Sequence, residues 1–384
     1  MSRTDFLPEE FAARRARVQA ALAEAGLDWL VIVHPVSIHW LTGSDAKSYQ
    51  AFQCLLVAAG DAPMTMIMRE SERPEIEDDT LAERVEGWGG NEPEDPLAVF
   101  ERVVRDLGLT AARVGLEVPA YYLHPHHYLR IRDILGPALV AEPSQLVAGL
   151  KAVKSPRELD HIRAAAASAD RAMAVFAQAL QPGRSELEVA AEVYRALVAG
   201  GGLAASTLNL VSGPRCGFSH GAPTERRLAV GDFGNVEFGG VFRRYTATIG
   251  RQFCLGPPTP RMQELYDIVR AASDACRAEI RDGVPAIVPH EAAKRVIAEA
   301  GLDRFRVHTT GYGIAPGFPP AWGEPVNMFG GSTDVLRAGM VLSVEPPVFI
   351  GAERLGARLI DNVLVTETGC ELLTAYPPDL IVVD

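Results

Sequence analysis

Cysteine is scarce in this sequence. The five cysteines among 384 residues (Cys54, Cys216, Cys254, Cys276 and Cys370) have no paired spacing, and their odd number argues against a disulfide framework, as expected of a reducing compartment. Long apolar runs are missing as well: no stretch approaches the roughly 20 uninterrupted apolar residues of a membrane helix, so no membrane association is expected. The N-terminus, MSRTDFLPEEFAARRARVQAALAEAG, alternates charge with Ala and Leu and lacks the apolar block of a secretory signal; the expected location is cytoplasmic. Positive charge is in deficit, with 37 Lys and Arg against 49 Asp and Glu, a net charge of -12 that would repel phosphate backbones and anionic lipid. Nucleic acid and membrane are therefore excluded as partners, and a small cationic or zwitterionic substrate is compatible.

Apolar residues are plentiful, at 48% of a chain longer than one hydrophobic core usually serves, which predicts two domains. Residues 7–26 carry helical periodicity up to Gly26, and DWLVIVHP then reads as a buried strand stopped by Pro35. QCLLVAAG and APMTMIM read as hairpin strands, PLAVFERVVRDLGL as a helix, ARVGLEV as a strand and HHYLRIRDILG as a helix, giving an α/β domain over residues 1–152. Ser155-Pro156 opens a long Ala-rich helix and a second domain, 153–384, in which helices cover strands such as GDFGNVEFGGVF, RYTATIGRQFCLG, MVLSVEPPVFI and ARLIDNVLVT. The fold class predicted is α+β with an antiparallel sheet.

Seven blocks follow one another in the order of a known family: SIHWLTG, KAVKSPREL, SGPRCGFSHGAPTERRLAVGD, VEFGGVFRRYTATIGRQF, HTTGYGIAPGFPP, AGMVLSVEPPVFI and GARLIDNVLVT. Together they resemble the creatinase/prolidase family, which includes aminopeptidase P, over nearly the whole chain. The resemblance implies a pita-bread C-terminal domain and a smaller creatinase-type α/β N-terminal domain. It also implies a homodimer in which the N-terminal domain of one subunit reaches the active site of the other.

The family's metallopeptidases bind two divalent metals through two Asp, one His and two Glu. Carried over motif by motif, those positions fall on Glu237, Thr248, Tyr312 of GYGI, Glu345 of SVEP and Ile360 of RLID. An isoleucine supplies no donor, a threonine a neutral hydroxyl, and a tyrosine a phenol protonated near neutrality, so the expectation is no metal and no other cofactor. Asp361 is the nearest substitute, but one residue along a strand points to the opposite face. VEFGG, the RY pair and GYGI followed by PPAWGE are similar to ectoine-hydrolase-like proteins, and His220 of SHGAPT matches the catalytic histidine of creatinase.

The predicted function is metal-independent hydrolysis of a non-peptide C–N bond in a small amidine, guanidine or amide. Two alternatives stand beside it: an Xaa-Pro dipeptidase or aminopeptidase P-type metallopeptidase with an altered metal site, and a non-catalytic binding module of the same fold. The catalytic candidates are His220, Glu237 and Glu345. His220 acts as general acid/base or only binds substrate, and the two glutamates hold a planar substrate cation between them or one of them bonds backbone. His308 and Tyr312 are expected as pocket walls. Arg358 fixes a substrate carboxylate or pairs with Glu345 or Asp361. Tyr245, Trp322 and Glu324 are expected at the pocket mouth, and Lys47, Tyr49 and Gln53 near the partner subunit's site. Cys216 is read as inert packing, and the run His124 to His127 as a surface turn before a helix.

Overall fold

The computed structural model describes residues 3–383 apart from 46, 120 and 205–207. The chain divides into two compact units, 1–151 and 152–384. In the first, strands β1 (Trp29–Ile32), β2 (Cys54–Ala58), β3 (Thr65–Arg69), β4 (Arg84–Trp88), β5 (Val114–Leu116) and β6 (Leu139–Ala141) form a mixed sheet in the order β4-β3-β2-β1-β5-β6. The β1–β2 and β2–β3 pairs are antiparallel, so the two segments read as hairpin strands do pair as neighbours. Helices α1 (Pro8–Glu24), α2 (Pro35–Thr42), α3 (Arg73–Asp79), α4 (Pro96–Asp106), α5 (Pro125–Leu135) and α6 (Leu146–Ala152) complete the α/β order. The run of histidines starts α5: the His124 side chain caps it by accepting the backbone N–H of His126 at 3.1 Å.

In the second unit, Ser155 and Glu158 form a reciprocal capping box at the start of α7 (Pro156–Ala179), and Ser185 and Glu188 do the same for α8 (Glu186–Ala199). Strands β7 (Leu203–Ala204), β8 (Asn209–Ser212), β9 (Phe233–Phe242) and β10 (Tyr245–Leu255) follow; β9 and β10 join through Arg243 and Arg244, both at positive φ, the backbone of a two-residue hairpin turn. After α9 (Pro260–Glu279) and α10 (Ile287–Glu299) come β11 (Gly311–Phe318), β12 (Ala321–Met328), β13 (Val341–Val344), β14 (Val348–Ile350), β15 (Leu355–Ala357), β16 (Asp361–Val365), β17 (Cys370–Leu372) and β18 (Ile381–Val383). Ten of these strands form one sheet along the path β17-β16-β13-β11-β10-β9-β7, joined by β8, β12 and β18, with β14 and β15 paired separately. Its pairs are antiparallel except β10–β18. No described helix is long and apolar enough to cross a membrane.

Candidate active site

Alternation along the long strands separates a polar face from an apolar one. Residues opposite one another in an antiparallel pair share a face. Glu237 stands opposite Gly250, Thr248 opposite Gly239, Ser343 opposite both Tyr312 and Asn362, and Ile360 bridges to Gly250, which gathers Glu237, Thr248, Tyr312, Ser343, Ile360 and Asn362 on one face. The intervening residues Val236, Phe238, Ile249 and Phe253 pack into the apolar cluster under α7 and α8.

Charge on the polar face is internally matched. Glu237 Oε2 accepts hydrogen bonds from Asn209 Nδ2 at 2.9 Å and from Arg358 Nη1. Arg358 is fully buried; its Nη1 also donates to the Ser219 carbonyl at 3.3 Å and its backbone N–H to Gln252 Oε1 at 3.2 Å, while Nε and Nη2 have no hydrogen-bond partner among the described residues. Glu345 is equally buried. Tyr312 and Ser343 lie close enough to favour its ionised form, although among the described residues neither oxygen has a partner within hydrogen-bond distance. Burial dominates and pushes its carboxyl up to about 8; Arg358 opposes that rise and Glu237 adds to it.

Two imidazoles stand over this pair of acids. The rings of His220 and His308 meet edge-on at 5.5 Å, and His308 Nδ1 lies 3.7 Å from Glu345 Oε1. Burial and then Arg358 lower both histidines, His308 to about 4. At neutral pH the His308–Glu345 contact therefore joins two uncharged groups, and His220 is an unprotonated ring able to accept a proton.

The loop that carries His220 is knotted by Glu186. Its buried carboxylate accepts from Ser212 Oγ at 2.6 Å, Arg215 Nη1 at 2.5 Å, and Thr224 N and Oγ1 at 2.9 and 2.7 Å, while Arg215 Nη2 donates to the Ala222 carbonyl at 2.8 Å. Glu186→Gln turns one acceptor oxygen into a donor, which is expected to lower unfolding free energy by about 1–3 kcal/mol. The pKa of His220, lowered in the folded protein, should at the same time move back toward the ordinary histidine value. Urea unfolding and NMR titration of the His220 ring check both.

The five positions that the family uses for metal do not fit a pair of divalent ions. Thr248 is locked to Asn362 by two hydrogen bonds, its N–H donating to Oδ1 at 2.6 Å and its Oγ1 accepting from Nδ2 at 2.9 Å. The Ile360 side chain covers Gly250, where an added Cβ would meet it at 2.7 Å. The Tyr312 oxygen accepts from Trp322 Nε1 at 3.0 Å, and burial with the two nearby glutamates raises its pKa well above the ordinary phenol value. Among the described residues no group of three or more His, Cys, Asp or Glu side chains is placed to hold a metal.

Several expectations need correction. The cation beside Glu237 is the chain's own Arg358, so the carboxylates do not form an open cage for a substrate cation, and Arg358 pairs with neither Glu345 nor Asp361. Asp361 faces the other way, bonded to Arg251 Nη2 at 2.8 Å and Thr374 Oγ1 at 2.8 Å. Tyr245 is not at the mouth; it is fully buried and donates to Glu158 Oε1 at 2.8 Å. Glu324 is also buried, in an ion pair with Lys154 at 2.5 Å. Trp322 joins the site through Tyr312.

Lys47, Tyr49 and Gln53 belong to the first unit, Lys47 exposed, Tyr49 buried with its ring edge-on to Tyr122, and Gln53 buried. Cys216 is buried, donates to the Gly356 carbonyl at 3.2 Å and has its thiol pushed up to about 12 by burial, which suits packing and not nucleophilic attack. Asn209, Asn362 and Glu186 were not anticipated. Strand alternation two residues beyond Ile360 pointed to Asn362; no local signal marked the other two.

A mixed α/β unit followed by an antiparallel sheet under helices, with acids and imidazoles on one face, is the frame of a two-domain hydrolase of pita-bread type. The chain belongs to metallopeptidase family M24: residues 160–367 match that family's model, and residues 14–153 match the creatinase/prolidase N-terminal domain. It is 33% identical over 382 residues to the probable dipeptidase PepE of Mycobacterium tuberculosis, covering 98% of each chain. It is 27% identical over 400 residues to the ectoine hydrolase of Halomonas elongata, again covering 98% of each. The crystal structure of dipeptidase PepE from Mycobacterium ulcerans superposes with a TM-score of 0.87 at 31% identity, covering 98% of this chain and 99% of that one.

Proposed function

We propose that this hydrolase opens a C–N bond other than a peptide bond in a small zwitterionic amidine, guanidine or amide, and does so without metal. One observation carries the reading: of the family's five metal positions, Glu237 is already paired with the chain's own Arg358, Thr248 is locked to Asn362, and Ile360 places an alkyl group over Gly250. Two divalent ions need anionic oxygen or imidazole donors, and Thr248, Tyr312 and Ile360 supply neither.

Arg358 stays with Glu237 as part of the buried floor, and His220, which is exposed, is the proton carrier that water can reach. His220 then takes a proton from the attacking water and returns it to the leaving nitrogen. His220→Ala is expected to lower kcat by the order of 10²-fold; a wild-type rate would remove His220 from the mechanism.

The decisive experiment incubates purified protein with ectoine, creatine and glycyl-proline, with and without EDTA, and follows products by mass spectrometry alongside elemental analysis. Cleavage of a non-peptide compound that EDTA leaves unchanged supports the reading. A second reading, a dipeptidase, is favoured by the 33% identity to the probable dipeptidase PepE. It would prevail if glycyl-proline were cleaved only by protein holding about two equivalents of manganese, zinc or iron.

A further inference from the structure

We infer that Tyr312 is a catalytic hydrogen-bond donor, held by Trp322 so that its hydroxyl hydrogen meets the heteroatom on which charge changes as water adds to the C–N carbon. The inference rests on the hydrolase reading above and deepens it by assigning the group that stabilises the tetrahedral adduct.

Two features of β11 and β12 build this donor. Gly323 of β12, paired with Ile314 across the hairpin, lies under the Tyr312 ring: a Cβ there would lie 3.2 Å from Tyr312 Cδ2 and 3.4 Å from Cε2, so the ring lies against bare backbone. The neighbouring Trp322 then donates its indole N–H to the phenol oxygen at 3.0 Å. An indole nitrogen is a donor only, so the phenol's one hydrogen cannot return that bond and must point elsewhere.

What lies elsewhere is the acid cluster. Burial raises the phenol's pKa first and the neighbouring Glu345 and Glu237 add to the rise, so the hydrogen stays on oxygen at neutral pH. Among the described residues neither Glu345 oxygen has a partner within hydrogen-bond distance, so no carboxylate closes a bond with the Tyr312 donor. A polarised oxygen or nitrogen of the substrate is the partner that fits.

The step balances without any further reactant. Water adds its oxygen to the unsaturated carbon, its proton passes to His220, and the π pair moves onto the heteroatom facing Tyr312. The pair then returns, the C–N bond breaks, and the leaving nitrogen takes the proton from His220. The phenol proton is shared in a hydrogen bond and never transferred.

The test compares Tyr312→Phe, Trp322→Phe and the double variant on whichever of ectoine, creatine or glycyl-proline the wild type cleaves. Y312F should lose about 10²- to 10³-fold in kcat with KM within about threefold, the mark of an interaction made in the transition state. W322F, which only positions the donor, should lose about tenfold in kcat at constant KM, and the double variant should be no worse than Y312F. A Y312F kcat within threefold of wild type overturns the inference; additive losses overturn the positioning role of Trp322. Should Y312F melt below the assay temperature, W322F decides alone, unchanged kcat counting against. A wild type that needs added manganese yet still loses kcat in Y312F would sink the metal-free reading and leave Tyr312 in its role.

Discussion

Arg358→Met is expected to destabilise the protein by about 3–5 kcal/mol, because it removes one partner of a buried ion pair and leaves the other without compensation. Both side chains are nearly inaccessible, Arg358 at 1% and Glu237 at 3% exposure, so solvent screening does little to soften the loss. Asn209 would remain as the only described donor to Glu237 Oε2. The size of the loss is bounded because the stranded carboxylate can take up a proton, which makes the penalty smaller in acid than at neutral pH. Glu237→Gln in the same chain should restore much of the stability, since no charge is then buried alone. Urea unfolding at pH 7 and pH 5 measures all three proteins. A single variant as stable as wild type would mean that the pair contributes nothing, and a double variant worse than R358M would mean that Glu237 is held by something other than its charge.

That pairing also marks the limit of what the sequence could disclose. Local signals carried the elements well: Ser155-Pro156 opens α7 as its capping box requires, and the apolar alternation of β9 and β10 gives the right face to Glu237. Pro35 marks the end of a strand in the sequence pattern, yet Pro at a first helical position after a side-chain cap is equally a start, and α2 begins there with His34 as its cap. AWGEPVNM is poor in strand formers, and only its pairing with β11 makes it the strand β12, a tertiary effect no local propensity records. At the site, motif order was enough to assemble His220, Glu237, His308, Tyr312, Glu345 and Arg358. Which charge meets which was not legible, since Arg358 and Glu237 are 121 residues apart and their contact depends on strand order. The same holds for Tyr245 and Glu324, whose partners Glu158 and Lys154 lie in the segment that opens the second unit.

Glu345 should make stability fall as pH rises, and Glu345→Gln should abolish that part of the dependence. The unfolded carboxyl ionises near its ordinary value of 4.5, whereas burial holds the folded one to about 8. Below 4.5 both states carry the proton and this group imposes no cost. Between 4.5 and about 8 only the folded state holds it, so folding must take up a proton, and unfolding free energy declines by up to about 1.4 kcal/mol per pH unit. Above about 8 both states are ionised, and the loss stays at its full value. The surrounding groups shape this window without reversing it: Arg358 narrows it, Glu237 widens it, and Tyr312 and Ser343 favour the ionised form. His308, lowered to about 4, stays uncharged throughout. Glutamine keeps the shape and remains neutral in both states, so the difference in unfolding free energy between E345Q and wild type cancels the background of other carboxylates. That difference should grow in favour of E345Q by several kcal/mol from pH 5 to pH 8. A flat difference would mean that Glu345 is ionised in the folded protein, which would restore a negative charge to the site and with it the strongest argument for a bound cation.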